Sequence, residues 1–368
     1  MASRPPVVFE QGLERDFPKM IPKHCEICKK TEGLQRCAAC SVYYYCSREH
    51  QTQDWSTHKS TCKQISGARK KVEEEKAKIP DAVFEERKGR CWAGNPDFRP
   101  YMKARYFHGE LLIRSWRRQG IEDALENYLG MVHLNRGDNQ SARDSVPPLY
   151  IRLGKDQDAY DFCKWWGLKE GSGQDKHYNW ADTTLPFLNI QGADAAEPCD
   201  DFFGYAVLRL THLLSAYLIK FRLLQCFKAL GMYKKIWQQQ ADTDELPTKQ
   251  EILEALKDKP FMCYGDAIDH QPVLEIFQDE NLFNKKTQDL MEQMMLIWFA
   301  VNEYNEHMWP MLTSPDERTL STNPMPYTPG SWAEANIAFA NTYSAWVETA
   351  GSIPALRKVM ENVRRQGM

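Results

Sequence analysis

Apolar residues recur at helical spacing through most of the chain, and the alternation of a half-buried strand is absent outside one short segment. The widest apolar face is Leu208, Leu210, Leu213, Leu214, Leu218, Phe221, Leu224 and Phe227, which predicts a long helix over about 201–229. Further helices are expected over 248–256 and 285–308. A Pro-rich loop, 323–330, precedes Ser331, which with Glu334 three residues on makes a capping box for a helix through Ser344. A basic C-terminal helix follows near Pro354. Earlier, the mixed charges of Lys70 to Lys78 stand at i, i+4 spacing and predict an exposed helical connector that Pro80 ends or kinks. The pattern specifies a mainly α chain.

A second periodicity lies within it. Gly120-Ile-Glu-Asp-Ala124 and Gly154-Lys-Asp-Gln-Asp-Ala159 read as two turn-then-helix starts, with the glycines 34 residues apart. Tyr128 and Met131 follow the first alanine at the offsets at which Cys163 and Trp166 follow the second, and Trp116 and Tyr150 each precede their glycine by four. The Asn/Asp-rich joint 135–143 reads as a turn and a helix N-cap. This period resembles tetratricopeptide repeats, which implies paired helices with alanine at close approaches and aromatics between.

The chain has 368 residues, with 42% hydrophobic and 26% charged, and a mean hydropathy of -0.60. No apolar run reaches the roughly 18 residues of a membrane helix. Residues 1–19 have no apolar core, so neither a membrane protein nor a secreted disulfide scaffold is expected; the expected location is intracellular, in nucleus, cytoplasm or both. The net charge of -3 is uneven: residues 1–71 carry 13 Lys/Arg and 7 Asp/Glu, a net +6, on a chain that is otherwise acidic. An acidic body argues against a broad nucleic-acid footprint.

The candidate chemistry sits in the basic part. Of 11 Cys and 9 His in the chain, six cysteines and two histidines fall between Cys25 and Cys62, spaced C-x2-C-x8-C-x2-C-x5-C-x3-H-x7-H-x3-C. A C-x2-C turn sets two thiolates about one edge of a Zn²⁺ tetrahedron apart, and ligands at i, i+4 on a helix share a face. Cys25, Cys28, Cys37, Cys40, Cys46, His50, His58 and Cys62 thus suffice for two four-coordinate ions with no open position, which is a structural arrangement. Disulfides would leave the histidines without a role and do not suit an intracellular chain. The segment has few large aliphatics, so zinc supplies most of its folding energy. The spacing permits either sequential or interleaved pairing of the ligand pairs.

The segment resembles a MYND zinc finger from end to end. It has the two C-x2-C pairs, Tyr45-Cys46-Ser47, Gln51, Asp54-Trp55 and the final His58-x3-Cys62, with His50 where most members have cysteine. The resemblance implies a cross-braced finger. One ion would take Cys25, Cys28, Cys46 and His50, and the other Cys37, Cys40, His58 and Cys62. It also implies a protein-interaction module for short proline-containing peptides. The groove would use Gln51, Trp55 and a small polar residue of the second knuckle, where this chain has Ala38; a packing role for Trp55 over the knuckles is the alternative.

Signs of catalysis are few. Methyltransferases that combine SET and MYND regions place a cofactor segment before the finger and carry an Asn-His-Ser-Cys motif. Here 24 residues precede Cys25 and the motif is absent. No phosphate-binding loop, H-E-x-x-H or G-x-S-x-G occurs. Asp266, Asp269 and His270 read as caps or surface groups; Trp165, Trp166, Met294, Met295, Trp298 and Trp309 as core; Cys91, Cys163, Cys199, Cys226 and Cys263 as reduced core thiols.

The expected organisation is an N-terminal extension (1–23), a MYND-type finger (24–63), a charged helical linker (64–100) and an all-α, tetratricopeptide-like domain (101–368). The expected function is a non-enzymatic, zinc-binding adaptor. Its finger docks a peptide, while the helical body anchors the finger or binds a second protein partner. The alternatives are an enzyme with an unrecognised site in the helical body and a nucleic-acid-binding regulator.

Overall fold

The computed structural model describes residues 19–90, 96–170, 178–199, 209–241, 248, 279–321 and 327–365. Residues 201–208 of the expected long helix, the expected helix 248–256 (save residue 248), the trio Asp266, Asp269 and His270, and Cys91 and Cys263 lie outside these residues. The described residues form thirteen α-helices and one two-stranded sheet, so the chain is mainly α, as its apolar pattern predicts. It divides into two compact units, one of residues 18–153 with 179–187 and the other built from 154–178 and 188–368.

The first unit begins with β1 (Gln35–Arg36) and β2 (Tyr44–Tyr45), antiparallel with Gln35 opposite Tyr45. Helices α1 (Arg48–Gln53), α2 (Trp55–Ala77), α3 (Asp81–Arg87), α4 (Arg99–Ile113), α5 (Arg118–Leu134) and α6 (Val146–Arg152) follow. The charged connector is therefore helical over most of its length, but α2 does not stand free. It packs along α4, which packs on α5, and its buried residues His58, Cys62, Ile65 and Ala68 recur at helical spacing. Lys70 and Glu74 pair across i, i+4 on its outer side, while Glu75 is buried and is met by Lys71 at 2.7 Å.

The joint after α5 folds as a buried turn. Asp138, at φ 38°, accepts hydrogen bonds from the backbone N–H of Ala142 (2.9 Å) and Arg143 (3.0 Å), so the expected turn forms, but the expected helix N-cap does not: Ser145, before α6, makes no side-chain cap bond. Arg136 holds residues 179–187 to the same unit. Its guanidinium donates to the carbonyls of Asp182, Leu185 and Thr183, each at 3.1 Å, and lies over the Phe187 ring.

The second unit contains α7 (Asp156–Glu170), α8 (Leu210–Ala241), α9 (Glu280–Tyr304), α10 (Met308–Thr313), α11 (Glu317–Ser321), α12 (Trp332–Glu348) and α13 (Ser352–Arg365). Helix α8 is the expected long apolar helix and packs against α7, α9 and α12. It runs twelve residues past the expected end: Gly231 is carried within the helix, and no proline occurs before Pro247. Helix α9 starts five residues early because Asp279 caps it, accepting from the N–H of Asn281 and Leu282. Ser331 caps α12 by accepting from Glu334 N–H at 3.3 Å.

Trp309 and Trp346 are buried against Tyr217, Trp298 stacks on Trp309, and Trp309 donates its indole N–H to the Trp298 carbonyl at 3.0 Å. The tryptophan-rich positions are thus packing groups. Cys163, Cys199 and Cys226 are buried and unbridged.

The two segments of the 34-residue period are both helical, but their glycines do different things. Gly154 sits at φ 77° in the turn before α7. Gly120 lies inside α5, where an added Cβ would strike the Ser115 side chain and come within 2.5 Å of the Leu112 carbonyl. The two segments also belong to different compact units.

Candidate metal centre and docking face

Each C-x2-C pair folds into the same tight turn. Lys29 N–H donates to the Cys25 carbonyl (3.0 Å) and Ser41 N–H to the Cys37 carbonyl (2.8 Å), and Lys29 and Ser41 take φ 62° and 63°. These left-handed residues curl each turn so that both thiols face inward. The β1–β2 pair then returns the chain to the first turn, where Glu26 N–H donates to the Tyr44 carbonyl at 3.1 Å. Ser47 caps α1 by accepting from His50 N–H, which places Cys46 just before the helix and His50 within its first turn. His58 and Cys62 share one face of α2, four residues apart.

Two clusters result. Cys25, Cys28, Cys46 and His50 have all their ligand atoms within 4.8 Å of one another, and so do Cys37, Cys40, His58 and Cys62. Each cluster takes one turn and one later pair, so the pairing is interleaved rather than sequential. The spacing by itself had left that open.

The donor sets fit zinc. Tetrahedral Zn–S and Zn–N bonds of about 2.3 and 2.0–2.1 Å give edges of about 3.5–3.8 Å. Cys28 Sγ lies 3.5 Å from Cys46 Sγ, and Cys37 Sγ lies 3.8 Å from Cys62 Sγ. Cys40 Sγ is 3.4 Å from His58 Nε2, and Cys46 Sγ is 3.2 Å from His50 Nδ1. The electrostatics ask for a cation. Burial opposes the Cys25 thiolate, but the backbone N–H groups of Cys28, Cys46 and Ile27 outweigh it and lower its pKa to about 6. Burial, then the neighbouring Cys40 and Cys37, push Cys62 up to about 12. Thiolates so crowded coexist once a divalent ion neutralises them. With three thiolates and one imidazole per cluster, all four positions are taken by protein, which suits structural zinc.

A further layer of residues orients the histidine of the second cluster. Tyr43 stacks on His58 with ring centroids 4.1 Å apart. Tyr45 Oη meets His58 Nδ1 and donates to Asp54 Oδ2 at 2.7 Å. With that hydroxyl proton committed to the carboxylate, Tyr45 accepts from Nδ1–H, and Nε2 keeps its lone pair for metal. The sequence reading assigned neither Tyr45 nor Asp54 a role, although both lie within the Y-C-S and D-W stretches.

Gln51 lies half-buried on α1, and Trp55 opens α2 with 42% of its surface exposed and its ring 6.1 Å from that of His58. Tyr43 and Tyr45 are buried. Ala38 is exposed in the second turn.

The MYND finger family profile matches residues 25–62. Residues 25–62 form a MYND finger. The finger is a zinc-binding protein-interaction domain, and its two Cys/His clusters are consistent with two zinc ions. The chain is 48% identical over 46 residues to Egl nine homolog 1 of Homo sapiens, covering 12% of this chain and 11% of that protein. It is 37% identical over 55 residues to histone-lysine N-methyltransferase ASHR1 of Arabidopsis thaliana, covering 15% and 11%. Over 40 residues it is 45% identical to N-lysine methyltransferase SMYD2 of Homo sapiens, covering 11% and 9%. The chain spans about a tenth of the length of these relatives, and the likeness is confined to the MYND finger. No solved structure matches the chain.

The finger is joined to the helices of its own unit. Ile21 N–H donates to the Trp116 carbonyl (2.7 Å) and Arg118 N–H to the Ile21 carbonyl (2.8 Å). Tyr44 Oη donates to Gln119 Oε1 at 2.6 Å, and Arg69 of α2 donates to the Ala39 carbonyl and Ser41 Oγ. No helix among the described residues is long and apolar enough to cross a membrane.

Proposed function

We propose that this protein is a non-enzymatic adaptor whose MYND finger docks a short proline-containing peptide at Gln51 and Trp55. The observation that carries the reading is Trp55. It is exposed over 42% of its surface on a finger whose tyrosines 43 and 45 are buried. A rigid indole held at the edge of a zinc-stabilised scaffold is the type of group that dominates peptide-binding energetics. The closed four-ligand clusters support a structural role for zinc, since they leave no position for a substrate or water. For the helical body we propose anchoring, because the contacts of Ile21, Tyr44 and Arg69 tie the finger to its own unit. The proposed location is nuclear or cytoplasmic, and neither nucleic acid nor membrane is a proposed partner.

The test is binding of fluorescent proline-containing peptides to the full chain. Trp55→Ala should weaken binding roughly 30-fold, the scale of an aromatic hot spot, and Gln51→Ala less, with two zinc ions per chain retained in both. A peptide held equally well by Trp55→Ala, or no binding across the peptide set, would overturn the reading.

A further inference from the structure

Arg117 reaches both halves of the finger from outside it. It is the residue before α5, set by Trp116 in the left-handed region at φ 56°. Its guanidinium pairs with Glu26 at both ends of the fork, Nε to Oε1 at 3.0 Å and Nη2 to Oε2 at 2.9 Å, while Nη1 donates to the Ser115 carbonyl at 2.8 Å. Glu26 lies inside the first turn, between the ligands Cys25 and Cys28. The same guanidinium lies 4.1 Å from the Tyr43 ring centroid, and Tyr43 stacks on the ligand His58. The pair is largely shielded, with 21% and 9% of its side chains exposed. A single residue at the start of α5 therefore braces the first cluster through Glu26 and the second through Tyr43.

We propose that Arg117 is a positioning residue for both zinc sites: it holds the ligand turns in the metal-bound geometry, so that zinc retention depends on the helical hairpin α4–α5. Groups that orient metal ligands from one layer out commonly change metal affinity 10- to 100-fold when replaced. The planar fork is needed, because a lysine ammonium cannot bridge both carboxylate oxygens and stack on a ring at once. By linkage, the stabilisation is reciprocal between metal and hairpin. Nothing in it depends on which peptide the finger docks.

The experiment is zinc release from the full chain to an excess of chromogenic chelator at fixed pH. Wild type, Arg117→Lys, Glu26→Gln and the double variant are compared, each first shown to carry two zinc ions and wild-type helix content. Arg117→Lys and Glu26→Gln should each release zinc on the order of 10-fold faster, and the double variant no faster than the faster single one, since both remove the same tie. Release at the wild-type rate, even from variants with lowered melting temperatures, would make Arg117 a packing group only and overturn the proposal. Effects that multiply in the double variant would also overturn it, because the two residues would then act separately. Glu26→Gln, which keeps the size of the side chain and removes only its charge, keeps the test decisive if Arg117→Lys folds poorly.

Discussion

The ring of Tyr128 occupies the space a side chain on Gly109 would need. A Cβ there would lie 2.7 Å from Tyr128 Cζ and 2.8 Å from Cε2. Tyr128 is fully buried, and its hydroxyl has the Tyr106 carbonyl at 3.3 Å and Glu110 Oε1 at 3.4 Å as acceptors, so the ring has no room to retreat. The close approach of α4 to α5 is thus made at a glycine.

Gly109→Ala should therefore destabilise the protein despite the better helix propensity of alanine. Overpacking costs about 1–3 kcal/mol, against a gain of about 1 kcal/mol for replacing a helical glycine. A lowered denaturation midpoint is expected; a raised one would show that the helices slide apart freely.

His108, beside it on α4, gives the unit an acid-sensitive component. Burial, then the charges of Arg69 and Arg105, push its pKa down to about 4. The folded value lies below the ordinary one of about 6.5, so the unfolded chain takes up the proton first. Its stabilising effect is complete above pH 6.5 and is lost as pH falls towards 4. In denaturation measured at pH 7 and pH 5, His108→Gln should lose less stability between the two than wild type.

In the second unit, Asp156 and Arg222 form a buried pair at 2.7 Å, with side-chain exposures of 6% and 7%. Removing one partner of such a pair costs about 3–5 kcal/mol, because the other charge stays buried. Asp156→Ala should show this in urea denaturation. Replacing both by apolar residues, Asp156→Leu with Arg222→Met, should restore much of the loss.

Metal analysis should find two zinc ions per chain. Cys37→Ser with Cys40→Ser leaves the second cluster two ligands short, so the content should fall to about one. Chelation should unfold the finger, seen as loss of protection of its backbone amides against hydrogen exchange, because so small a segment has little core of its own.

Much of this was legible in the chain. Helix positions followed from apolar spacing, and Ser331 announced the start of α12, because both signals are local. The eight ligands were legible because thiols and imidazoles at turn and helix spacing have few other uses. The role of the 34-residue period was not: Gly120 and Gly154 occupy matching places in sequence, yet one is buried inside a helix and the other turns the chain at positive φ.

The sequence by itself determined that there are two zinc sites' worth of ligands in a MYND finger and that helices follow it, since ligand chemistry and helical periodicity act over a few residues. The division of the ligands between the clusters, implied by the MYND resemblance but left open by the spacing, is as the tertiary structure has it; only that structure decided that Tyr45 and Asp54 orient His58 and that Arg117 grips Glu26 from 91 positions away. These depend on which surfaces meet once the helices pack. An arginine, a glutamate or a glycine carries no mark in sequence of the partner that folding will bring to it.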